Sequence, residues 1–318
     1  MTNTTITTVK YFIITGFPGL PPKHHSLVSA LLFLLFLAIL LGNVLILALI
    51  MYNDALWKPK YCILFHLAMT DLLFGFVTLP KVIAVYWWKA VVSPFAACFT
   101  QMYFVHSLGA VHSLILLMMS LDCFVAIWFP FRYAVVVTNK TIIIACNLCW
   151  ILTFIRMMGI VLHALTLPYC NLNIIPQCYC DHVSVMQLAC GENVEYVKKV
   201  AFGNSMVTLL VPLSFIIFSY SSIIVAVLKI SQNDRRYKVL STCIPQFTVT
   251  CLYYVPRCFV YIATDLGFEL SGETRTIVTT MYSLMPAMLD PIIYCLKTKD
   301  IKETLMKNIR IGKIHVFK

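Results

Sequence analysis

The chain alternates between long runs with hardly a charge and short stretches where charge, proline and glycine collect. Leu27–Met51 supplies 25 residues without a charge, and Val200–Leu228 carries none either. In Tyr61–Leu79 the charged or imidazole side chains are His66 and Asp71; in Phe99–Ile127 they are His106, His112 and Asp122. Ile142–Leu167 holds Arg156 and His163, Ser241–Thr264 holds Arg257, and Ile277–Leu296 holds Asp290. A helix crosses bilayer hydrocarbon with about 20 apolar residues, so the pattern predicts seven spans. Prolines 80, 212, 256, 286 and 291 fall in or at the ends of spans, where neighbouring helices can satisfy the freed carbonyls. Connecting segments are short except Pro168–Tyr196, which leaves no room for a soluble catalytic domain. After the last span, Ile301, Leu305, Met306 and Ile309 recur at helical spacing among lysines, the pattern of an interfacial amphipathic helix. The expectation is an all-α membrane protein, a seven-transmembrane helix bundle over 27–296. A tail over 1–26 precedes it, and a short amphipathic C-terminal helix and tail occupy 297–318.

Composition agrees. Hydrophobic residues make up 60% and charged residues 12%, against about 25% charged in soluble domains. The net charge of +11 is therefore read as membrane topology. A basic face for nucleic acid is not expected. With the N-terminus outside, fifteen lysines and arginines fall in inner segments and seven in outer ones, while Arg156 and Arg257 lie within spans. Positive charge accumulates on the cytoplasmic side, so the predicted location is the cell membrane, multi-pass, with an extracellular N-terminus. Asn3-Thr4-Thr5 is a glycosylation sequon in that outer tail; a second, at Asn139, falls in an inner loop. No basic start followed by an apolar core opens the chain, so no cleaved signal peptide is expected.

Ionisable groups inside a membrane are costly and usually face the bundle interior, which singles out Asp71, Arg156, Arg257 and Asp290. Arginine offers a rigid, permanently charged fork suited to a carboxylate. Two such cations without an obvious carboxylate beside them lead to the expectation of a neutral-to-acidic ligand; the alternative for Arg257 is a reach to Asp265 or to the membrane surface. Five cysteines, 98, 170, 178, 180 and 190, lie in outer segments where disulfides form, but spacing leaves their connectivity open. There is no HExxH or GxSxG, and the histidines show no shared ligand pattern, so an enzyme is not expected. Nor is there an internal repeat or a filter-like stretch that would mark a transporter or channel.

Several motifs, in order and on the expected spans, carry a resemblance. They are Gly42-Asn43; Lys58-Pro59-x-Tyr61 leading to Leu67-Ala68-x-x-Asp71; Met119-Ser120-x-Asp122 with Pro130-x-Arg132-Tyr133; Ser219-Tyr220; Lys238-x-x-Ser241-Thr242-Cys243; and Asp290-Pro291-Ile292-Ile293-Tyr294. Over nearly its whole length the chain resembles the rhodopsin-like G-protein-coupled receptors, and within them the odorant receptors. Gly16-Phe17-Pro18-Gly19-Leu20 and the run CFTQMYFVHS resemble the class I, fish-like branch.

The resemblance implies a small odorant bound in the outer half of the bundle, with candidate wall residues Met102, His106, Gly109, Ala110, Asn204, Ser205, Thr208, Tyr254, Arg257 and Tyr261. It implies disulfides Cys98–Cys180 and Cys170–Cys190, leaving Cys178 free. It implies a switch built from Asn43, Asp71, Asp122, Cys123, Tyr220, Lys238, Asp290, Pro291 and Tyr294, with a sodium ion beside Asp71 and no organic cofactor. The partners it implies are a heterotrimeric G protein of the stimulatory or olfactory type and membrane lipid, with outward movement of the sixth span as the activating step. Two positions depart from the family pattern. Where an arginine follows the acid at the inner end of span three, this chain has Cys123; where the family often has histidine after Ser-Thr-Cys, it has Gln246. Asp122 is then left to find Arg132, Lys140, another inner-loop group or water. The alternative function is a receptor that binds odorant but couples weakly or not at all.

Overall fold

The computed structural model describes residues 9–170, 173–265 and 271–316. Seven long helices carry the predicted spans: α1 (His25–Tyr52), α2 (Pro59–Trp88), α3 (Phe95–Trp128), α5 (Asn139–Leu165), α7 (Val194–Leu228), α8 (Asn233–Asp265) and α9 (Gly272–Lys297). Two short helices, α4 (Pro130–Val136) and α6 (His182–Met186), sit in loops, and α10 (Lys299–Val316) follows the bundle. Among the described residues six of the long helices are apolar enough to cross a membrane by composition. The seventh, α8, opens on the polar stretch Asn233–Lys238 and carries Arg257.

Several boundaries differ from those the sequence pattern predicts. Helix α2 passes through Pro80 and continues nine residues beyond the predicted end at Leu79. A proline removes one hydrogen bond, but Val82, Ile83, Val85 and Tyr86 beyond it are all buried, and their packing sustains the helix. It stops where Lys89 turns left-handed (φ 55°). From inside the helix Lys81 reaches back to donate to the carbonyls of Ala90 and Val92, both at 2.6 Å. Helix α10 is also longer than expected. It is tied to the start of α2 by Asp300, which pairs with Lys58 at 3.4 Å and Lys60 at 3.8 Å, while Ile301 buries completely.

The N-terminal segment is more than a tail. Strand β1 (Tyr11–Ile14) is the centre of a three-stranded sheet, antiparallel to β2 (Val92–Pro94) and parallel to β3 (Ile174–Ile175). Successive strand residues face opposite ways, so Phe12 and Ile14 point inward with no exposed surface. Phe12 packs on Phe95, Phe99 and Tyr169. The sheet thereby ties the chain start, the first outer loop and the second loop over one end of the bundle.

Inside the bundle, close helix approach depends on glycine. A methyl group at Gly75 would come within 2.9 Å of Ile39, and one at Gly42 within 2.8 Å of the Pro291 ring. Asn43, next to Gly42, donates to the carbonyls of Ile39 and Ala287, both at 2.9 Å, and so fastens α1 to α9. Because a proline ring cannot swing aside, Gly42→Ala is expected to lower stability by about 1–3 kcal/mol, read as a fall in Tm of the detergent-solubilised protein. An unchanged Tm would mean that the two helices part without loss.

Candidate functional site

The second loop is drawn over the N-terminal end of the bundle by contacts with α3 and α9. Cys98, in the first turn of α3, is bonded to Cys180, whose backbone N–H donates to Gln101 Oε1 at 2.9 Å. The His182 N–H donates to His106 Nε2 at 3.1 Å, and the Tyr179 and Ser283 hydroxyls meet at 3.0 Å. A second disulfide joins Cys170 to Cys190. Cys178 is free and buried, and burial pushes its thiol up to about 12, far from any reactive thiolate.

Beneath this lid lies a cavity of about 440 Å³, the size range of small-molecule sites. Its walls include His106, Gly109 and Ala110 from α3, Asn204, Ser205 and Thr208 from α7, and Tyr253 and Arg257 from α8. Helix α9 adds Tyr282 and Ser283, and the loop adds Asp181 and His182. Two sequence candidates lie elsewhere. Met102 is completely buried among Phe12, Val161, Val185 and Met186, because the loop fills the space above that part of α3. Tyr254 turns away from the cavity toward α3, and its hydroxyl meets Ser113 Oγ at 2.7 Å. The side chains of Tyr261 and Lys238, and the whole of Asn3, lie outside the described residues. His106 is on the wall, but its Nε2 is used by the loop; accepting there places the proton of a neutral ring on Nδ1.

Arg257 is the strongest chemical feature of the wall. Its Cζ lies 3.7 Å from the centre of the Tyr253 ring and 4.8 Å from that of Tyr282, and Nη1 donates to the Tyr253 carbonyl at 2.8 Å. Among the described residues it has no carboxylate partner. Arg156 is different. It lies in a separate groove of about 220 Å³ between α5 and α7, and its Nη2 donates to Thr208 Oγ1 at 2.7 Å. Asp181 and His182 were not legible from the sequence as wall residues. Burial raises the Asp181 carboxyl, against a hydrogen bond from Ser184 and the charge of Arg275. Burial and the neighbouring His106 push the His182 imidazole down to about 4, against Asp181, so it faces the cavity neutral.

Under the cavity floor a polar chain continues into the bundle. The Tyr253 ring, with Arg257 on it, stacks on His112 with centroids 4.6 Å apart and planes 9° from parallel. Its hydroxyl donates to the Gly109 carbonyl at 2.7 Å. His112 in turn stands between two carboxylates, Nδ1 3.0 Å from Asp71 and Nε2 3.9 Å from Asp290. Of the switch residues implied by resemblance, Asp71 and Asp290 thus both stand beside His112, while Asn43 serves backbone carbonyls instead. No sequence pattern marks His112 as a partner, because its two acids come from other helices. A sodium ion beside Asp71 does not fit these donors. Hard cations take oxygen ligands, whereas here an imidazole nitrogen stands between the two carboxylates.

At the C-terminal end of the bundle the two departures from the family pattern meet each other. The Cys123 thiol donates to Gln246 Oε1 at 3.0 Å, joining α3 to α8, beside buried Cys243 and Tyr220. Asp122 takes neither Arg132 nor Lys140. It accepts from the Tyr133 hydroxyl at 2.8 Å, because α4 starts directly after α3 and folds that ring back onto it. Tyr294 caps this cluster, donating to Met119 Sδ at 3.5 Å, and Pro291 fills the notch left by Gly42.

A bundle of seven long helices, six of them apolar enough to span a bilayer, with a roofed cavity at one end, is the architecture of a multi-pass membrane receptor. The sequence profile of the family described as Olfactory receptor matches residues 32–311. The chain is 34% identical over 311 residues to human Olfactory receptor 52B2, covering 95% of this chain and 93% of that one. It is 36% identical over 319 residues to human Olfactory receptor 52N1 (98% and 97%), and 31% identical over 311 residues to mouse Olfactory receptor 1E16 (96% of each). The chain belongs to the olfactory receptor family. As such it is a G-protein-coupled odorant receptor of the plasma membrane and not an enzyme.

Proposed function

We propose that this receptor takes a small, acidic odorant into the cavity beneath the second loop, with its carboxylate on Arg257, and signals through a heterotrimeric G protein of the stimulatory or olfactory type. The observation that carries the ligand class is Arg257 itself: a guanidinium in the wall of a roofed cavity, with two aromatic rings beside it and no carboxylate partner among the described residues. A half-buried guanidinium held against two aromatic rings is partly stripped of water, so a ligand that brings a carboxylate to it gains a charge-assisted hydrogen bond. Greater positive charge on the C-terminal side supports an extracellular N-terminus, which puts the cavity within reach of the odorant.

The signal is a population shift. Ligand on Arg257 bears on the Tyr253 ring, and that ring bears on His112 and through it on Asp71 and Asp290. Any preference of the ligand for one arrangement of this stack biases how α8 and α9 pack against α2 and α3. The sixth span, α8, then moves outward at its Asn233 end, away from the Cys123–Gln246 contact, and admits the G protein. Lipid meets the exposed apolar faces of the long helices and the basic α10 at the membrane surface.

A second reading is favoured by Cys123, which cannot make the charged bidentate contact of an arginine. In that reading odorant binds and coupling is weak. A panel of carboxylates and matched neutral compounds on cells, read out as cAMP, separates the two. The proposal expects carboxylate responses from the natural sequence and the same maximal response from Cys123→Arg. If ligand raises the Tm of both proteins but only Cys123→Arg produces cAMP, the second reading holds.

A further inference from the structure

We infer that the groove around Arg156, on the bilayer-facing side of the bundle, binds a single-chain fatty acid by its carboxyl group. The groove is lined by Leu152 and Arg156 of α5, Val211 and Pro212 of α7, and Leu114 of α3. Arg156 is exposed, yet its surroundings are not those of a water-facing charge. Ile151, Leu152, Ile155 and Leu162 on the same helix are each more than half exposed, a surface that suits hydrocarbon. At about 1.5 Å per residue, Arg156 lies roughly 14 Å in from the Leu165 end of α5. That depth, with apolar residues on both sides, puts the guanidinium inside the bilayer, where an ionised side chain is rare and marks a function.

The arginine is held in place from α7. Its Nη2 donates to Thr208 Oγ1 at 2.7 Å, and that hydroxyl is free to accept because it donates onward to the Asn204 carbonyl at 2.7 Å. The Thr208 carbonyl loses its usual helix partner, since Pro212 four residues on has no N–H, and accepts instead from Ser113 Oγ at 3.1 Å. Thr208 is thus fixed by α3 and by its own helix, and it holds the guanidinium against α7 instead of letting it extend toward the membrane surface. A guanidinium has five N–H donors, and among the described residues no carboxylate pairs with Arg156.

Charge selects an acid, and the planar fork matches a carboxyl group with two parallel hydrogen bonds. Depth selects the carrier. A fatty acid passes below the headgroup layer in its neutral form, whereas a phosphodiester stays ionised and is kept at the surface by the cost of burying its charge. A second copy of the chain is a poor match. Within its spans Asp71 and Asp290 are buried, and Asp122 is held by Tyr133 at the other end of the bundle. The groove volume of about 220 Å³ is below the roughly 300 Å³ of a whole drug-sized ligand. It takes the carboxyl group and first carbons, and the rest of the chain lies along exposed Val211 and Phe215 of α7. Thr208 lines both this groove and the odorant cavity, so an acid that draws Arg156 off Thr208 acts on the cavity wall from the lipid side.

The test uses the full-length receptor in phosphatidylcholine nanodiscs and, as photoprobe, oleic acid carrying a mid-chain diazirine, with labelled peptides mapped by mass spectrometry. Saturable labelling is expected on peptides of α5 and α7. Oleate should displace it at concentrations about tenfold or more below those needed with methyl oleate, the margin of a charge-assisted hydrogen bond. Arg156→Leu is expected to weaken labelling there by about tenfold or more. Arg257→Leu should leave it unchanged, which separates this groove from the odorant cavity. Should Arg156→Leu fail to fold, the oleate and methyl oleate competition on the natural sequence decides alone. Displacement by phosphatidylglycerol as readily as by oleate would assign the groove to a phospholipid headgroup, and Arg156-dependent cross-linking of two chains would assign it to a second copy. Either result overturns the proposal, as does equal labelling of Arg156→Leu or equal competition by the ester.

Discussion

Cys98→Ser is expected to abolish the odorant response and to remove most of the folded receptor from the cell surface. The Cys98–Cys180 bond closes a loop of 82 residues. On the chain-entropy account, releasing a loop of that length costs about 4–5 kcal/mol, a large share of the roughly 5–15 kcal/mol that holds a protein folded. The loss is also local to function. Cys180 is where the second loop meets α3, and the flanking contacts of Gln101, His106 and Tyr179 hold the roof only if it is already close by. Cys170→Ser opens a loop of 20 residues, worth about 3 kcal/mol by the same relation, and neither cysteine of that bridge lines the cavity. It should therefore reduce surface level more mildly and leave ligand potency unchanged in the receptors that remain. Surface staining and cAMP dose–response curves on the two variants decide the matter. A full response from Cys98→Ser would show that the sheet around β1, and not the disulfide, holds the lid in place.

The spans were legible because a bilayer imposes one requirement on every helix that crosses it, and a run of about 20 apolar residues meets that requirement visibly. Their ends were not legible. Pro80 reads as a stop, yet the residues beyond it find partners and the helix goes on to Trp88. Strand β1 was missed because four residues, Tyr11–Ile14, show their alternation only once β2 and β3 are seen to flank them. In the site, depth along a helix was readable and rotation was not. Met102 and Tyr254 lie at the right depth for the cavity, but Met102 is covered by Val185 and Met186, and Tyr254 points at Ser113. His112 shows the limit most clearly. Alone on an apolar helix it gives no sign of function, and only the packing of α2 and α9 against α3 supplies the two acids beside it. The two departures at Cys123 and Gln246 are each unexplained in isolation; their meeting at 3.0 Å relates them, since the thiol donates to the amide oxygen where an arginine would need an anion.

Arg257 carries the prediction that most directly reads out ligand chemistry. Arg257→Leu is expected to raise the half-maximal concentration for carboxylate odorants by roughly 10–150-fold, the loss that follows from a charge-assisted hydrogen bond worth about 1.5–3 kcal/mol. Neutral compounds of the same shape, such as the corresponding methyl esters or amides, should lose far less, because leucine still packs between Tyr253 and Tyr282. Arg257→Lys keeps the charge but loses the planar fork that stacks on those rings, so it should restore only part of the carboxylate response. The pattern across the three side chains is what separates recognition from support. A guanidinium needed only to brace the cavity wall would, on removal, depress carboxylates, esters and amides alike and lower the Tm without ligand. One that receives the ligand leaves the Tm of the empty receptor nearly unchanged, since among the described residues it has no carboxylate partner to lose, and takes away ligand-induced stabilisation for acids alone.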